Sequence, residues 1–481
     1  MKLNKSYKEF FIAMRYLRQV KSAIKHFFTL DRRVVFSLLF RASQALVGVV
    51  TVLMIGCVFN PEEQGYYYTF SGILALQIIF EMGLSFTILQ FAGHEFAVIS
   101  WSSQQKIEGP PEKVALFGGF LAKCAIAYGL IALAIFVIVW PVGILFFTTA
   151  DHHSFVISWG LPWFCLCITT AANVFTFPFL SVIEGSGHIA QINQFKIIRN
   201  TAAAFCMWIA MLGGANLYSI AFDPLIRFVI GVLWIKINYP DLIAKTYLGF
   251  RHMHPKNSIQ LLQPLRWMDE VWPMQWRIAI SWISGYFVNQ LYAPIVFYYH
   301  DAASAGRLGA SMMVCNLLSL FATTFLTAYN PEMCQLIANK KWQLLYSLFK
   351  RVFLHALFLS IIAAGLILAA MFLPFLAFIA HRFVSPLEML LLLTGALLNY
   401  LIGAIALFLR AFKREPFVWV SLISSIFNVC LAWWFGRLYG TVGVVSIFLL
   451  VNLFFGLPAA WFLWRKNTVH LWTDNLAWEN S

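Results

Sequence analysis

Four basic and two acidic side chains, Arg41, Lys123, Arg227, Arg277, Glu81 and Asp223, stand inside stretches that otherwise read as hydrocarbon. In "ALQIIFEMGLSF", Ala75 to Phe86, Glu81 is the single charge. A charge at the centre of a bilayer costs about 2.5 to 3.5 kcal/mol on insertion scales, so such groups normally face a cavity or a partner. Two chemistries suit this set. Arginine offers planar donors that engage phosphate oxygens two at a time and lysine offers a point charge, so Arg41, Lys123 and Arg277 fit the grip of an anionic headgroup. Carboxylates fit ion or proton binding, or the neutralisation of a neighbouring base. Asp223 and Arg227 lie four apart in acid-first order, which favours a local helical pair with a structural or coupling role. By helical rise Glu81 is roughly 16 Å from the cytoplasmic end of its segment, Arg41 roughly 10 Å and Lys123 roughly 14 Å. An Arg41–Glu81 ion pair therefore stands as an expectation beside a cavity wall that includes Glu81. Asn289 and Gln290, deeper on the segment of Arg277, add groups for sugar hydroxyls or for bonds between helices.

The chemistry of enzymes is poorly represented. No Gly-rich phosphate loop ends in Gly-Lys-Ser/Thr, and the Gly185–Gly187 pair between apolar runs reads as a turn. Cys165 and Cys167, two apart on a helix, point away from each other and suit buried thiols rather than a metal site. His152 with His153, in a short external break, is the one dense candidate for a membrane acyltransferase. Neither a cofactor nor catalysis is expected.

The elements that must position these groups follow from composition. Hydrophobic residues make up 61% of the 481, and charged residues only 11%, a balance no water-soluble class shows. Runs near the bilayer-spanning length of about 20 residues recur. We read spans at 34–58, 67–92, 114–140, 154–180, 190–213, 217–237, 272–299, 304–330, 351–376, 386–409, 416–435 and 441–464. They are too long and continuous for barrel strands. The fold class is an all-α polytopic membrane protein, with twelve transmembrane helices in two six-helix lobes around a central cavity, 34–237 and 272–464. Breaks such as "NPEEQG" and "GSG" separate the spans.

Lysine and arginine set the orientation. They crowd the N-terminal arm, the even-numbered breaks and the C-terminal tail, and only Arg307, Arg382 and Arg437 fall to the odd-numbered breaks. Both termini are thus expected in the cytoplasm. The net charge of +14 reflects that face and calls for no nucleic acid. Residues 1–33 space Phe10, Met14, Leu17, Val20, Ile24 and Phe27 helically among basic residues, as an arm lying on membrane lipids would. Residues 238–271 form a cytoplasmic linker and 465–481 a cytoplasmic tail.

The halves also echo each other. "EEQGYYYTFSGILAL" after the first span matches "SAGRLGASMMVCNLLSL" after the seventh, and the stretch ending at Asn200 matches that ending at Asn428. With "FNPEEQGYYYTFSGILALQ" and "GSGHIAQINQFKIIRN", the chain resembles the polysaccharide-transporter branch, with its O-antigen flippases, of the multidrug/oligosaccharidyl-lipid/polysaccharide flippase superfamily. The resemblance runs from about Val34 to Lys466. It implies a bacterial inner-membrane protein that moves a polyprenyl-pyrophosphate-linked glycan between leaflets by alternating access, beside polysaccharide-biosynthesis partners. The rival within this shape is a cation-coupled exporter of small amphipathic molecules, for which Glu81 and Asp223 are the available carboxylates.

Overall fold

The computed structural model describes residues 32–102, 105–150, 157–252, 272–374, 377–412 and 417–467. The basic arm expected over 1–33 lies almost wholly outside the described residues, as do His152, His153, the linker beyond residue 252 and the tail from residue 468.

The apolar runs form helices because a helix satisfies its own backbone in lipid. In the first half these are α1 (Arg32–Val58), α2 (Pro61–Leu74), α3 (Gln77–Glu81), α4 (Leu84–Glu95), α5 (Pro111–Ala134), α6 (Trp140–Ala150), α7 (Gly160–Val174), α8 (Phe177–Gly185), α9 (Ile189–Leu212) and α10 (Phe222–Asn238). Helix α11 (Pro240–His252) follows. In the second half come α12 (Trp272–Asn289), α13 (Tyr292–Tyr299), α14 (Ala302–Ala328), α15 (Asn330–Ala338), α16 (Trp342–Ala370), α17 (Ala377–Ala380), α18 (Pro386–Ala411) and α19 (Val418–Val451).

Eight of the described helical segments are long and apolar enough to cross a membrane, and the bent run Pro61–Glu95 makes a ninth. One segment, Val418–Asn467, has 50 residues. At about 1.5 Å per residue it is more than twice the roughly 30 Å hydrocarbon core. It divides at Gly440, whose φ of 60° interrupts the helical backbone. Two further spans escape a length criterion. Helix α10 has only 17 residues, and α12 with α13 is broken at Gln290–Leu291. Twelve spans result, and the chain is a multi-pass membrane protein.

Several predicted breaks are themselves helical. "PEEQG" is the first turn of α2, because Asn60 caps it, Glu63 returns the bond to the Asn60 amide, and Pro61 needs no donor at that place. Ser385, Pro386 and Glu388 start α18 in the same way. The first part of the linker is α11, packed along α5 so closely that a Cβ on Gly249 would fall 2.1 Å from the Gly118 carbonyl oxygen. A hairpin, β1 (Ser100–Trp101) with β2 (Ile107–Glu108), lies beside it, and the Ile107 amide donates to Asp241 Oδ2 at 2.8 Å.

The halves meet along α14, which packs on α1 and α2, and along α12 and α13, which pack on α2, α3 and α4. A ring cluster of Tyr66, Phe70, Phe147, Trp163 and Phe297 secures this seam. Trp163 donates its indole N–H to the Trp140 carbonyl at 3.0 Å.

Candidate functional site

Two cavities with charged groups in their walls open in the first half, each taking one wall residue from the second. The first, about 230 Å³, is walled by Gln44 and Thr51 of α1, Tyr67 of α2, Asn200 of α9, and Asp223 with Arg227 of α10. Met313 of α14 closes it from the other half. The second, about 270 Å³ and mostly apolar through Phe86, Leu89, Phe177 and Leu180, carries Ser85 of α4, Ser181 and Glu184 of α8, Lys196 and Arg199 of α9, and Trp282 of α12 in its wall.

Helix α9 contributes Asn200 to the first cavity and Lys196 with Arg199 to the second. It packs on α1 through Asn193 Nδ2 to Ser37 Oγ (2.9 Å), Lys196 Nζ over the Phe40 ring (5.9 Å) and Trp208 Nε1 to Thr51 Oγ1 (3.1 Å). That fixes Arg199 and Asn200 between α1 and α10. Phe195 stacks on Trp234 at 4.0 Å and supports the Arg199 guanidinium, 5.8 Å above its ring. Arg199 is 7% exposed, yet its Nε and Nη1 find no partner among the described residues. Asn200 Oδ1 is also buried and unbonded. Neighbouring charges are paired: Arg227 reaches Asp223 Oδ1 at 2.9 and 3.2 Å, and Lys196 reaches Glu184 at 2.5 Å. With those charges cancelling, the uncompensated charge of the two cavities is the Arg199 cation.

The expected residues separate on this frame. Asp223 and Arg227 form their pair and line the first cavity. Arg41 lies on the α1 stripe that continues through Gln44, Gly48 and Thr51, half-buried, with no ion pair among the described residues. The Arg41–Glu81 pair does not form. Glu81 sits instead at the end of α3, 7% exposed, where Tyr128 of α5 donates its hydroxyl to Oε1 at 2.9 Å, and it lines neither cavity. The depth estimate put the two groups within reach of each other's long side chains but carried no information about which helices adjoin. Lys123 is half-buried on α5 and also lines neither. Arg277 lies on α12, with its side chain outside the described residues. Asn289 spends its amide on the Gly285 carbonyl of its own helix at 2.9 Å, and Gln290 stands at the α12–α13 break.

Arg199 and Lys196 fall inside the span read at 190–213, yet they were grouped with the basic residues of the cytoplasmic side and so were left out of the intramembrane charges. The helix starts at Ile189. Ten residues of helical rise, about 15 Å, then carry Arg199 into the membrane. Among the described residues no group of three His, Cys, Asp or Glu side chains could hold a metal ion.

Solved structures now give this arrangement a context. The lipid II flippase MurJ in an inward closed conformation superposes with a TM-score of 0.59 at 15% identity, over 91% of each chain. The chain has the fold of the MurJ and MATE transporters. A multidrug resistance MATE family transporter of the MOP superfamily, inward-facing, gives 0.55 at 12% identity over 91% of this chain and 99% of that one. The eukaryotic MATE transporter AtDTX14 gives 0.56 at 12% over 95% and 98%. No protein-family model and no curated protein sequence matches the chain. The MurJ/MATE fold accounts for two six-helix halves around a cavity.

Proposed function

We propose that this chain is a flippase carrying an anionic, lipid-linked glycan, of the polyprenyl-pyrophosphate type, between membrane leaflets by alternating access of its halves, 34–237 and 272–464. The observation that supports this is Arg199, a cation held at 7% exposure with two unbonded nitrogens in a cavity wall. A buried charge without a counter-ion is strongly destabilising. An incoming phosphate oxygen relieves that cost and gains charge-assisted bonds. Arg41, on the neighbouring stripe of α1, suits the same anion. A pump for cationic drugs would face repulsion at this wall. The fold shared with a lipid II flippase and with multidrug transporters is compatible with either cargo, so the argument rests on charge. Both termini on the cytoplasmic side of a bacterial inner membrane, and work beside glycan-assembly enzymes, complete the reading.

The test is a proteoliposome assay that follows a fluorescent polyprenyl-pyrophosphate-linked sugar out of reach of an impermeant reagent. Arg199→Ala should slow flipping by about ten- to a hundredfold, the value of a charge-assisted contact of roughly 1.5 to 3 kcal/mol. Arg199→Lys should fall between, because an ammonium lacks the paired donors. Transport of a cationic dye with no movement of the lipid-linked sugar would establish the exporter instead.

A further inference from the structure

A third cavity, of about 550 Å³, shares no residue with the two charged ones. Every side chain in its wall is apolar, among them Val49 and Leu53 of α1, Leu317 and Phe321 of α14, Ile367 of α16 and Phe383 just beyond α17. Val49, Leu53 and Phe321 are 48%, 42% and 42% exposed, so the cavity is a trough open to the surrounding hydrocarbon. Helix α1 belongs to the first half and the other walls to the second, and the trough therefore crosses the seam. Gly48, which lines the first charged cavity, meets Leu317 of the trough so closely that a Cβ would fall 2.6 Å from its Cδ2, and this contact stands between the two spaces.

One end of the trough is cationic. Arg382 stands between Ala380 and Phe383 of the wall, and its stem lies on Gly56, 3.6 Å from where a Cβ would be. Gly56 continues the stripe of Val52 and Leu53 by one turn toward the end assigned to the outside. The Arg382 and Gly306 carbonyls accept from the same Gln64 amide, each at 2.9 Å, which draws the residue after Gly306, Arg307, to this end. Arg307 precedes Val314 of the wall by seven residues, on one face of α14. Arginines are scarce at this end of the molecule, yet two of the three read there from the sequence gather at the trough. Neither has an ion pair among the described residues, and Arg382 Nη1 is buried with no acceptor there. The acids of the surrounding helix starts are spent on caps, Glu63 on the Asn60 amide, Asp301 on that of Ser304, and Glu388 on Ser385 and Thr441. Glu62, in the first turn of α2, is exposed.

We propose that the trough and its rim bind one glycerophospholipid of the membrane, with an acyl chain along the apolar wall and the phosphate on Arg382, to which Arg307 adds charge from α14. The two parts of the site complement the two parts of that molecule. Hydrocarbon fills the apolar space, and a phosphate oxygen supplies the acceptor that the buried guanidinium nitrogen lacks. Because α1 forms one wall and the second half the others, the bound lipid braces the seam between the halves. The inference needs no particular cargo.

The test follows thermal unfolding of the full chain, stripped of lipid in detergent, during titration with dioleoylphosphatidylglycerol, with dioleoylglycerol, which has the chains without the phosphate, and with glycerol 3-phosphate, which has the phosphate without the chains. The phospholipid alone should raise the midpoint by several degrees, since a ligand that binds only the folded state stabilises it. Arg382→Gln keeps the backbone carbonyl that holds Gln64, and should raise the half-saturating phospholipid concentration about tenfold. Ala363→Phe, which fills the trough, should abolish the response. Equal stabilisation of the wild type by dioleoylglycerol overturns the proposal, as does a phospholipid response that survives unchanged in either variant.

Discussion

Gly65 of α2 and Gly306 of α14 meet back to back across the seam between the halves. A Cβ on Gly306 would fall 2.7 Å from the Gly65 nitrogen, and one on Gly65 would fall 1.9 Å from the Ala302 carbonyl oxygen. Each glycine stands at the same distance from a side-chain cap, Asn60 for α2 and Asp301 for α14. The repeat read from the sequence paired these two glycines, and the fold brings them into contact. Gln64 fastens the place further, because its amide donates to the carbonyls of both Gly306 and Arg382 at 2.9 Å.

Gly65→Ala should therefore part this seam. The obstacle is backbone, which no rotamer relieves, so we expect destabilisation of about 1 to 3 kcal/mol. Gly129→Ala is the control, since nothing lies within 4 Å of its Cβ position and a helix interior gains up to about 1 kcal/mol from alanine. Thermal unfolding in detergent should fall for the first variant and hold or rise for the second. Equal midpoints would show that the glycine contact yields without strain.

Orientation is checked by single cysteines in a background without the native ones. Gln64, in the predicted external break, is 1% exposed and unsuitable. Glu62 and Asp301 are exposed at the end assigned to the outside, and Lys340 at the opposite end. An impermeant thiol reagent applied to intact cells should label the first two and spare the third. The reverse pattern would turn the topology over.

Much of the architecture was legible because bilayer thickness acts directly on sequence. All twelve spans appear in the helices, and the Asp223–Arg227 pair followed from spacing along one helix. What failed depended on neighbours. Arg199 was grouped with the cytoplasmic charges although its span, 190–213, contains it, and Glu81 was given Arg41 because depth says nothing about which helices adjoin. The repeat was legible only as pattern. Of its two asparagines, Asn428 is fully buried and accepts from the Tyr292 hydroxyl at 2.7 Å, whereas Asn200 leaves Oδ1 unbonded beside a cavity. The polar vacancy in the first half depends on packing that no single-sequence pattern carries.

His188 provides a pH dependence outside the membrane. Its ring lies between Trp101 of the hairpin and Tyr239, and burial lowers its pKa below the usual value of about 6.5. The folded protein thus binds this proton less readily than the unfolded chain. Its contribution is complete above about pH 6.5 and declines as the pH falls toward the lower folded value. Hydrogen exchange in residues 100–108 should quicken over that window in the wild type. In His188→Gln the change should vanish. An unaltered response in the variant would assign the effect to another group.

The Lys196–Glu184 pair offers a prediction of opposite sign to any loss at Arg199. Both side chains are part-exposed, at 20% and 26%, so the pair is worth only about 0.5 to 1 kcal/mol. Glu184 nevertheless stands in the wall that holds Arg199, where its charge opposes an incoming anion. Glu184→Gln removes that opposition and releases the Lys196 ammonium toward the cavity. Affinity for undecaprenyl pyrophosphate, titrated in detergent, should rise about two- to fivefold. Lys196→Gln should lower it by a similar factor and leave a shallower dependence on salt, because one screened attraction is gone. Weaker binding by Glu184→Gln would mean that the carboxylate positions the ammonium for the cargo, and that the pair acts as one grip on the anion instead of a partly cancelled charge.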